Sequence, residues 1–393
     1  MSSALTLLLF IIALPAAAAS LYLLAMTLLS ARTPAALRSS RRLRFDIIVP
    51  AHNEAAGIQN VIANLRKLDW PVDGYRILVV ADNCTDATAA LARAAGAEVL
   101  ERHDSALRGK GYALDFAFQA SQASGWAYAV IVIDADSEVS PNLLEAFSSR
   151  IESGAKAIQA HYGVLNARVS WRTRLMTIAM AAFHVLRSRA RERLQLSCGI
   201  RGNGWCVTHR LLSQVPYRAF SLAEDVEYGI DLGLAGYRVH YAGEAHVNAE
   251  MVSGEQAARS QRQRWEQGRL RLIRSKTLPL LRAAAGGSVV CLDLLIDLFV
   301  LPLSYVALNV ATLILFAAIA VLWMPDLEIW LTLGIACGLS LFLYVLRGWQ
   351  LSGIGLIGLA DLLRAPFFVL WKILLMIRTP RSGLWVRTRR ENP

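Results

Sequence analysis

Two carboxylates follow a predicted strand in the segment YAVIVIDADS. Six consecutive apolar residues, four of them β-branched, predict a buried strand, and Asp134 and Asp136 stand where it ends. Carboxylates one residue apart can reach a hard divalent cation and a sugar hydroxyl, and a Mg²⁺ or Mn²⁺ held in this way usually completes its shell with substrate phosphate oxygens. The pair therefore predicts a metal and phosphate site, with a short acidic turn as the alternative.

Polar residues also follow two other predicted strands. His52, Asn53 and Glu54 come after the apolar run RFDIIVPA, and Asp82 and Asn83 come after YRILVVA. Segments of helical spacing follow each run, which predicts a mostly parallel sheet covered by helices. Open α/β sheets bind ligands at the carboxyl ends of their strands. We therefore expect three strand ends to place their polar side chains on one rim.

Two predicted helices carry further groups of interest. Glu224 and Asp225 open the helix in AEDVEYGIDLGL, where an acidic pair favoured by the helix dipole is the simple interpretation. In QRQRW, Gln261, Arg264 and Trp265 fall at positions i, i+3 and i+4, on one helix face. Arg264 could neutralise a diphosphate and Trp265 could stack on a sugar ring. The alternative is a basic surface helix with a Trp at the bilayer boundary.

The sequence has no phosphate-binding glycine loop. The segment RGKGYAL has one Gly on each side of Lys110 and lacks the rest of the G-x-x-x-x-G-K-[ST] pattern. Phosphates must therefore be held by a metal and by basic side chains.

Composition and charge indicate a membrane protein. Hydrophobic residues make up 55% of the 393 residues, the mean hydropathy is +0.39, and the net charge is +11. Residues 5–29 form an uncharged run long enough to span a bilayer. The positive-inside rule places the chain after this run in the cytoplasm, because basic residues follow at Arg32, Arg38, Arg41, Arg42 and Arg44. A cleaved signal peptide is the alternative, but no basic residue precedes the run.

The C-terminal region is apolar again. Residues 298–323 and 329–346 are predicted spans. Residues 287–297 and 353–377 are also apolar but contain charged side chains, so we expect them to lie in the membrane interface. The basic tail places the C-terminus in the cytoplasm with the globular domain. The expected organisation is a transmembrane helix (1–30), a basic linker (31–44), a globular domain (45–276), an interfacial segment (277–297), a transmembrane helix pair (298–346), and interfacial helices with a basic tail (347–393). A multi-pass protein of a bacterial-type inner membrane is expected.

Residues 165–194 combine apolar and basic side chains. They predict an amphipathic helix on the anionic inner leaflet, with an ordinary packed helix as the alternative. Nucleic acid is not expected as a partner, since the arginines cluster beside membrane segments and no recognition fold is evident. The five Cys are unevenly spaced and indicate neither a disulfide framework nor a zinc site.

The motifs VPAHNE, VVADNCTD, RGKGYAL, IDADS, AED and QRQRW occur in an order that resembles the membrane-embedded family 2 glycosyltransferases. Processive members of that family include cellulose, chitin and hyaluronan synthases. The likeness covers about residues 45–272, and its most specific motif, Q-Q/R-x-R-W, is matched by Gln261, Arg262, Arg264 and Trp265. The resemblance implies a GT-A fold, which is a Rossmann-like α/β domain, in the cytoplasm between N- and C-terminal transmembrane helices.

The resemblance also implies roles for single residues. Glu54 and Asp82 would contact the uridine of a UDP-sugar, and Lys110 would lie near the nucleotide. Asp134 and Asp136 would hold the ribose or sugar and a Mg²⁺ or Mn²⁺. Many members have two adjacent Asp residues where this sequence has only Asp82. This difference leaves the identity of the donor nucleotide sugar open.

Acceptor-side roles follow in the same way. Asp225 would be the catalytic base, and Arg264 would face the donor diphosphate. The residues expected near the acceptor are Glu224, Gln261, Arg262 and Trp265, with Asn203, Gly204 and Trp205 as weaker candidates. Ala223 stands where the family often has Thr.

These roles predict an inverting transfer of sugar to a growing β-linked polysaccharide at the lipid bilayer. A base on one face of the sugar and a leaving group on the other give a single displacement. Transfer of one sugar to a lipid-linked acceptor is the nearest alternative, and a membrane-anchored nucleotide-sugar-binding regulator without catalysis is another. Export or regulatory partner proteins would suit a polysaccharide product. A transporter would need polar residues inside several spans, and two or three short hydrophobic spans with few internal charges leave little room for a pathway.

Overall fold

The computed structural model describes residues 2–34, 38–251 and 255–364, without the side chains of residues 2–3 and 255–265. Within these ranges the chain divides into two compact units. The helical unit contains residues 2–31, 174–190 and 296–364, and the sheet unit contains residues 32–173 and 191–295.

The sheet unit contains one eight-stranded sheet. Its strands are β1 (Phe45–Ala51), β2 (Tyr75–Asp82), β3 (Glu98–Arg102), β4 (Ala129–Val132), β5 (Ser137–Val139), β6 (Ala157–Val164), β7 (Trp205–Thr208) and β8 (Val239–Ala249), in the order β3-β2-β1-β4-β7-β6-β8-β5. Strands β3, β2, β1 and β4 are all parallel, as are β6 and β8. β7 runs antiparallel to β4 and β6, and β5 runs antiparallel to β8. The predicted α/β class with a mostly parallel sheet is confirmed.

Helices cover both faces of this sheet. They are α2 (Ile58–Leu65), α3 (Thr88–Ala94), α4 (Lys110–Ser124), α5 (Leu143–Glu152), α8 (His209–Gln214), α9 (Glu224–Leu234) and α10 (Glu255–Ala285), with a 3₁₀ turn at Val72–Gly74. Successive residues of β1 point to opposite faces. Ile47 and Val49 therefore pack in one core with Ile58, while Ile48 packs in a second core with Leu114.

Helices α9 and α10 run side by side in the same direction. A β-carbon added at Gly268 of α10 would lie 2.8 Å from the Ala223 β-carbon, just before α9 begins. Eight residues further along both helices, Lys276 forms an ion pair with Asp231. The part of α10 that precedes Gly268 therefore extends past the N-terminal end of α9.

The helical unit contains α1 (Ser2–Leu28), α12 (Leu303–Trp323), α13 (Glu328–Ser352) and α14 (Leu356–Leu362). Three helical stretches, Ala4–Leu28, Leu303–Trp323 and Pro325–Ser352, are long and apolar enough to cross a membrane. They correspond to the three predicted spans. The second begins at Leu303 because Pro302, which has no backbone N–H, precedes it. Of the predicted interfacial helices and basic tail (347–393), residues 365–393 lie outside the described part of the structure.

The remaining described helices are α6 (Trp171–Met180), a π-helical turn (Ala181–Leu186), α7 (Arg187–Arg193) and α11 (Val289–Phe299). Arg187 is buried in the helical unit, where its guanidinium lies 2.9 Å from Asp297 and donates to the Tyr344 hydroxyl at 3.0 Å. Arg191 is buried in the sheet unit and lies 2.8 Å from Asp293. These two arginines fit the packed-helix alternative, since neither faces solvent or lipid headgroups.

Candidate active site

The carboxyl ends of β1, β2, β3 and β4 share one edge of the sheet. Ala51 pairs with Ala81, Asp82 with Arg102, and Ile48 with Val132, so the chain leaves all four strands on the same side. Glu54, Asp82 and Asp134 therefore come to one rim, as the sequence predicts.

Asp82 is buried and is held from two sides at this rim. Arg102, at the end of β3, contacts its carboxylate at 2.7 Å, and the amide of Asn83 donates to the same oxygen at 2.9 Å. Glu54 is fixed through its backbone N–H, which donates to Thr88 at 2.8 Å. Sequence reasoning missed Arg102, although a charged residue ending a third strand of the same rim was a usable signal.

Lys110 joins the strand ends to α9. Its ammonium lies 2.5 Å from the Asp134 carboxylate, 2.7 Å from the Gly202 carbonyl and 3.9 Å from the Glu224 carboxylate. Burial lowers the pKa of Lys110, but the carboxylates of Asp134 and Glu224 outweigh this effect and raise it above the ordinary lysine value. Lys110 is therefore a fixed positive charge between two acidic groups from distant parts of the chain.

The loop from Gly199 to Gly204 passes between Lys110 and Asp225. Gly202 has φ of +83°, and a β-carbon at this position would lie 3.2 Å from Oδ2 of Asp225. Arg201, in the same loop, is buried and donates from Nε to the Cys198 carbonyl at 3.0 Å. Sequence reasoning also missed Arg201, whose position between glycines in GIRGNG was a weak signal.

Glu224 and Asp225 stand at the first turn of α9 in different electrostatic surroundings. Burial raises the pKa of Glu224 to about 7, with Lys110 opposing the shift and Asp225 adding to it. Burial also raises the pKa of Asp225, while the Val226 backbone amide, Lys110 and Arg201 oppose it. Burial therefore raises the pKa of both carboxyl groups, which suits a group that accepts a proton in catalysis.

Asp134 and Asp136 offer the oxygen donors that Mg²⁺ and Mn²⁺ take. Among the described side chains of residues 38–251 and 266–364, no three or more His, Cys, Asp or Glu gather as a metal cage. A cation held here by one or two carboxylates would take its other ligands from water and substrate phosphate, which is usual for such sites. The donor set fits that metal.

Two of the weaker acceptor candidates lie beneath the site. Asn203 is fully buried; its side-chain Oδ1 accepts from the Asp134 backbone N–H at 3.0 Å, and its side-chain Nδ2 donates to the Ser137 hydroxyl at 2.7 Å. Trp205 is 1% exposed, and its ring packs against the rings of Phe118, Tyr217 and Tyr228. An acceptor sugar could not reach this indole without displacing those rings, and so we leave Trp205 and Asn203 out of the acceptor site.

The QRQRW residues are helical, but their side chains lie outside the described part of the structure. Gln261, Arg262, Arg264 and Trp265 belong to the stretch of α10 before Gly268, which is the stretch that extends past the start of α9. This backbone position brings the motif near Glu224 and Asp225.

Comparison with known proteins identifies the family. The family model described as Glycosyl transferase family group 2 matches residues 129–377, and that described as Glycosyl transferase family 2 matches residues 46–210. The chain is 29% identical over 232 residues to the beta-monoglucosyldiacylglycerol synthase of Synechocystis sp., which covers 56% of this chain and 47% of that protein. It is 23% identical over 248 residues to the probable glucomannan 4-beta-mannosyltransferase 11 of Arabidopsis thaliana, covering 60% of this chain and 55% of that protein. The chain spans about half the length of these curated relatives.

A solved structure supports the fold. The mannosyltransferase PcManGT from Pyrobaculum calidifontis, solved in complex with GDP-Man and Mn²⁺, superimposes with a TM-score of 0.53 at 20% identity, covering 84% of this chain and 97% of that chain. The fold is thus the predicted GT-A fold. Since the first family model covers more than half of the sequence, the chain belongs to the glycosyl transferase family group 2.

Proposed function

We propose that the protein catalyses an inverting, metal-dependent transfer of a sugar from a nucleotide sugar, with a UDP-sugar as the first candidate, to a hydroxyl group of a membrane-associated acceptor. The observation that carries this proposal is the cluster around Lys110, which lies 2.5 Å from Asp134 and 3.9 Å from Glu224. The end of β4, which would bind the donor, and the start of α9, which would supply the base, are therefore neighbours.

The donor would lie along the rim of the sheet. Glu54 and Asp82 would contact the nucleoside, and Asp134 and Asp136 would hold the sugar or ribose and the metal. A bound Mg²⁺ or Mn²⁺ would neutralise charge on the donor diphosphate. The PcManGT structure, solved with GDP-Man and Mn²⁺, supports a nucleotide sugar and a divalent cation as the ligands.

Asp225 would be the base. It would take the proton of the acceptor hydroxyl as the acceptor oxygen bonds to the anomeric carbon, while the bond to the diphosphate breaks on the opposite face. Burial raises the pKa of Asp225, which suits a proton acceptor, and the cations Lys110 and Arg201 limit that rise. One displacement inverts the anomeric centre, so an α-linked donor gives a β-linked product.

The QRQRW motif would close the site from above α9. Arg264 would meet the diphosphate, and Trp265, Gln261 and Arg262 would meet the acceptor, with Glu224 beside them. The parallel packing of α9 and α10, through Gly268 and through the Lys276–Asp231 pair, supports this placement.

A lipid acceptor is the first candidate, and a growing β-linked polysaccharide is the second. The glycolipid synthase of Synechocystis sp. supports the former, and the probable glucomannan mannosyltransferase of Arabidopsis thaliana and the motif itself support the latter. Export or regulatory partners would be needed only for a secreted polymer.

The proposed setting is a bacterial-type inner membrane, with the sheet unit in the cytoplasm and residues 277–297 in the interface. The charge asymmetry around the first span supports this topology.

A single assay tests the activity. Detergent-solubilised protein would be incubated with Mn²⁺, a panel of UDP- and GDP-sugars and membrane lipid extract, with nucleoside diphosphate release and product mass as the readouts. Release coupled to a new glycoside supports the transferase. Nucleotide-sugar binding without any turnover would instead support the regulator without catalysis.

A further inference from the structure

Residues 217–223 lead directly into Glu224 and alternate between buried and exposed side chains. The buried members are Tyr217, Ala219 and Ala223, and the exposed members are Arg218, Phe220 and Leu222. Phe220 is 41% exposed and Leu222 is 43% exposed. We call the three exposed residues the ledge. A basic, an aromatic and an aliphatic side chain, exposed at alternate positions of one short segment, form the combination that suits the boundary between lipid headgroups and acyl chains.

The ledge is fixed against the start of α4. A β-carbon at Gly111 would lie 2.4 Å from the Ala219 carbonyl oxygen, so only glycine permits this close approach of α4 to the loop. The Phe220 ring stacks on Tyr112, with 4.4 Å between the ring centroids and 9° between the planes. Tyr112, the stacking partner of Phe220, is two residues after Lys110, so Phe220 packs on the first turn of the helix that carries Lys110.

The other end of the ledge is fixed against α9 and α10. The Ser221 backbone N–H donates to Glu227 at 3.2 Å, and Ala223 meets Gly268. Leu222 therefore stands at a defined place immediately before Glu224 and Asp225. An exposed apolar surface that is held in place on both sides, beside the proposed base, is suited to bind a ligand of matching chemistry.

We propose that the ledge binds the hydrocarbon chain of a lipid acceptor, with Phe220 and Leu222 in contact with the chain and Arg218 at headgroup level. The proposal rests on the proposed transferase function and specifies its acceptor as an amphiphile. A polysaccharide carries hydroxyl groups along its whole length and offers no hydrocarbon chain to contact Leu222.

The test compares acceptors that differ only in chain length. Full-length protein in phosphatidylcholine nanodiscs would be assayed with dodecyl and ethyl β-glucosides, using the donor identified by nucleotide release. Phe220→Ser and Leu222→Ser should raise KM for the dodecyl acceptor by about tenfold, which matches the loss of part of a buried apolar side chain. KM for the ethyl acceptor, KM for the donor, and kcat should stay unchanged. Val72→Ser, at a residue that is 89% exposed before β2, is the matched control.

A binding readout separates this proposal from the proposed activity. A diacylglycerol with a diazirine on its acyl chain should label the peptide that contains residues 217–223, and both ledge variants should reduce that labelling. This experiment needs no turnover, so wild-type protein that is labelled at the ledge without releasing nucleotide would refute the transferase alone.

Three results would contradict the proposal that the ledge binds a lipid chain. One is a wild-type enzyme that uses both glucosides equally well. Another is an equal rise of KM for both glucosides in the variants, which indicates a structural role. The last is labelling that stays unchanged in both ledge variants.

Discussion

Gly202 lies beside Asp225, because a β-carbon at Gly202 would lie 3.2 Å from Oδ2 of Asp225, and the same glycine carries the carbonyl that accepts from Lys110 at 2.7 Å. The backbone at Gly202 therefore constrains the positions of both the Lys110 side chain and the Asp225 side chain. Its φ of +83° is a conformation that residues with a β-carbon adopt only at a cost.

Substitution of this glycine should separate strain from catalysis. Gly202→Ala should lower stability by about 1 kcal/mol through its positive φ. It should also lower kcat by about tenfold or more, because the new methyl group displaces the Asp225 carboxylate. Gly236→Ala is the control, since Gly236 has the same φ of +83° and nothing within 4 Å of an added β-carbon. Both variants should show similar shifts in Tm, and equal kcat values in the two would remove the contact from the mechanism.

Replacement of the base should affect chemistry and spare binding. Asp225→Asn keeps the shape of the side chain and removes the proton acceptor, so kcat should fall by about 10² to 10⁴ while donor Kd stays constant. Turnover kinetics and nucleotide-sugar titration measure the two effects. Asp115→Asn, on α4, is the control and should behave as wild type. Wild-type turnover in Asp225→Asn would move the role to Glu224 or leave the pair as a helix-terminal feature.

The protonation of Glu224 should make stability depend on pH. Its pKa of about 7 lies above the ordinary glutamate value of 4.5, so between these values the folded protein binds more protons than the unfolded chain. Stability contributed by this residue is then present below pH 4.5 and is lost as pH rises to about 7, by a total of about 3 kcal/mol. Glu224→Gln removes that loss. The Tm of the variant should therefore exceed that of wild type increasingly from pH 5 to pH 8, and a constant difference would contradict the shift.

Metal dependence should rest on the acidic strand end. Excess chelator should abolish turnover, and Mn²⁺ or Mg²⁺ should restore it. Asp136→Asn should raise the metal concentration needed for half-maximal rate by at least about tenfold, because a carboxylate ligand is lost. Glu138→Gln, at an exposed acidic residue two positions away, is the control. Full activity in chelator would exclude the metal from the reaction.

The first span should place the N-terminus outside the cytoplasm. Basic residues follow the span and none precedes it, so a tag at Ser2 should react with an impermeant reagent in intact spheroplasts. A tag inserted between Val72 and Asp73, which are both exposed, should react only after the membrane is opened. The reverse pattern would invert the proposed topology.

The sequence by itself determined the fold class, the rim of polar strand ends and the three apolar helices. Strand periodicity and the residues that follow each strand are local properties, and parallel strands necessarily end at one edge, so Asp82 and Asp134 could be placed on one rim without a structure. The length of an apolar run is equally local, which is why all three membrane-spanning candidates were predictable.

Only the tertiary structure determined which residues from separate strands, helices and loops pack against one another. Trp205 follows a glycine-rich loop and looks accessible in sequence, but the antiparallel pairing of β7 with β4 and β6 turns its ring into the core with Phe118 and Tyr217. The contact of Arg102 with Asp82 and the close approach of Gly202 to Asp225 bring together residues whose separation along the chain carries no periodic signal. Such contacts depend on how the strands and helices pack in three dimensions, and the order of residues along one element does not encode that packing.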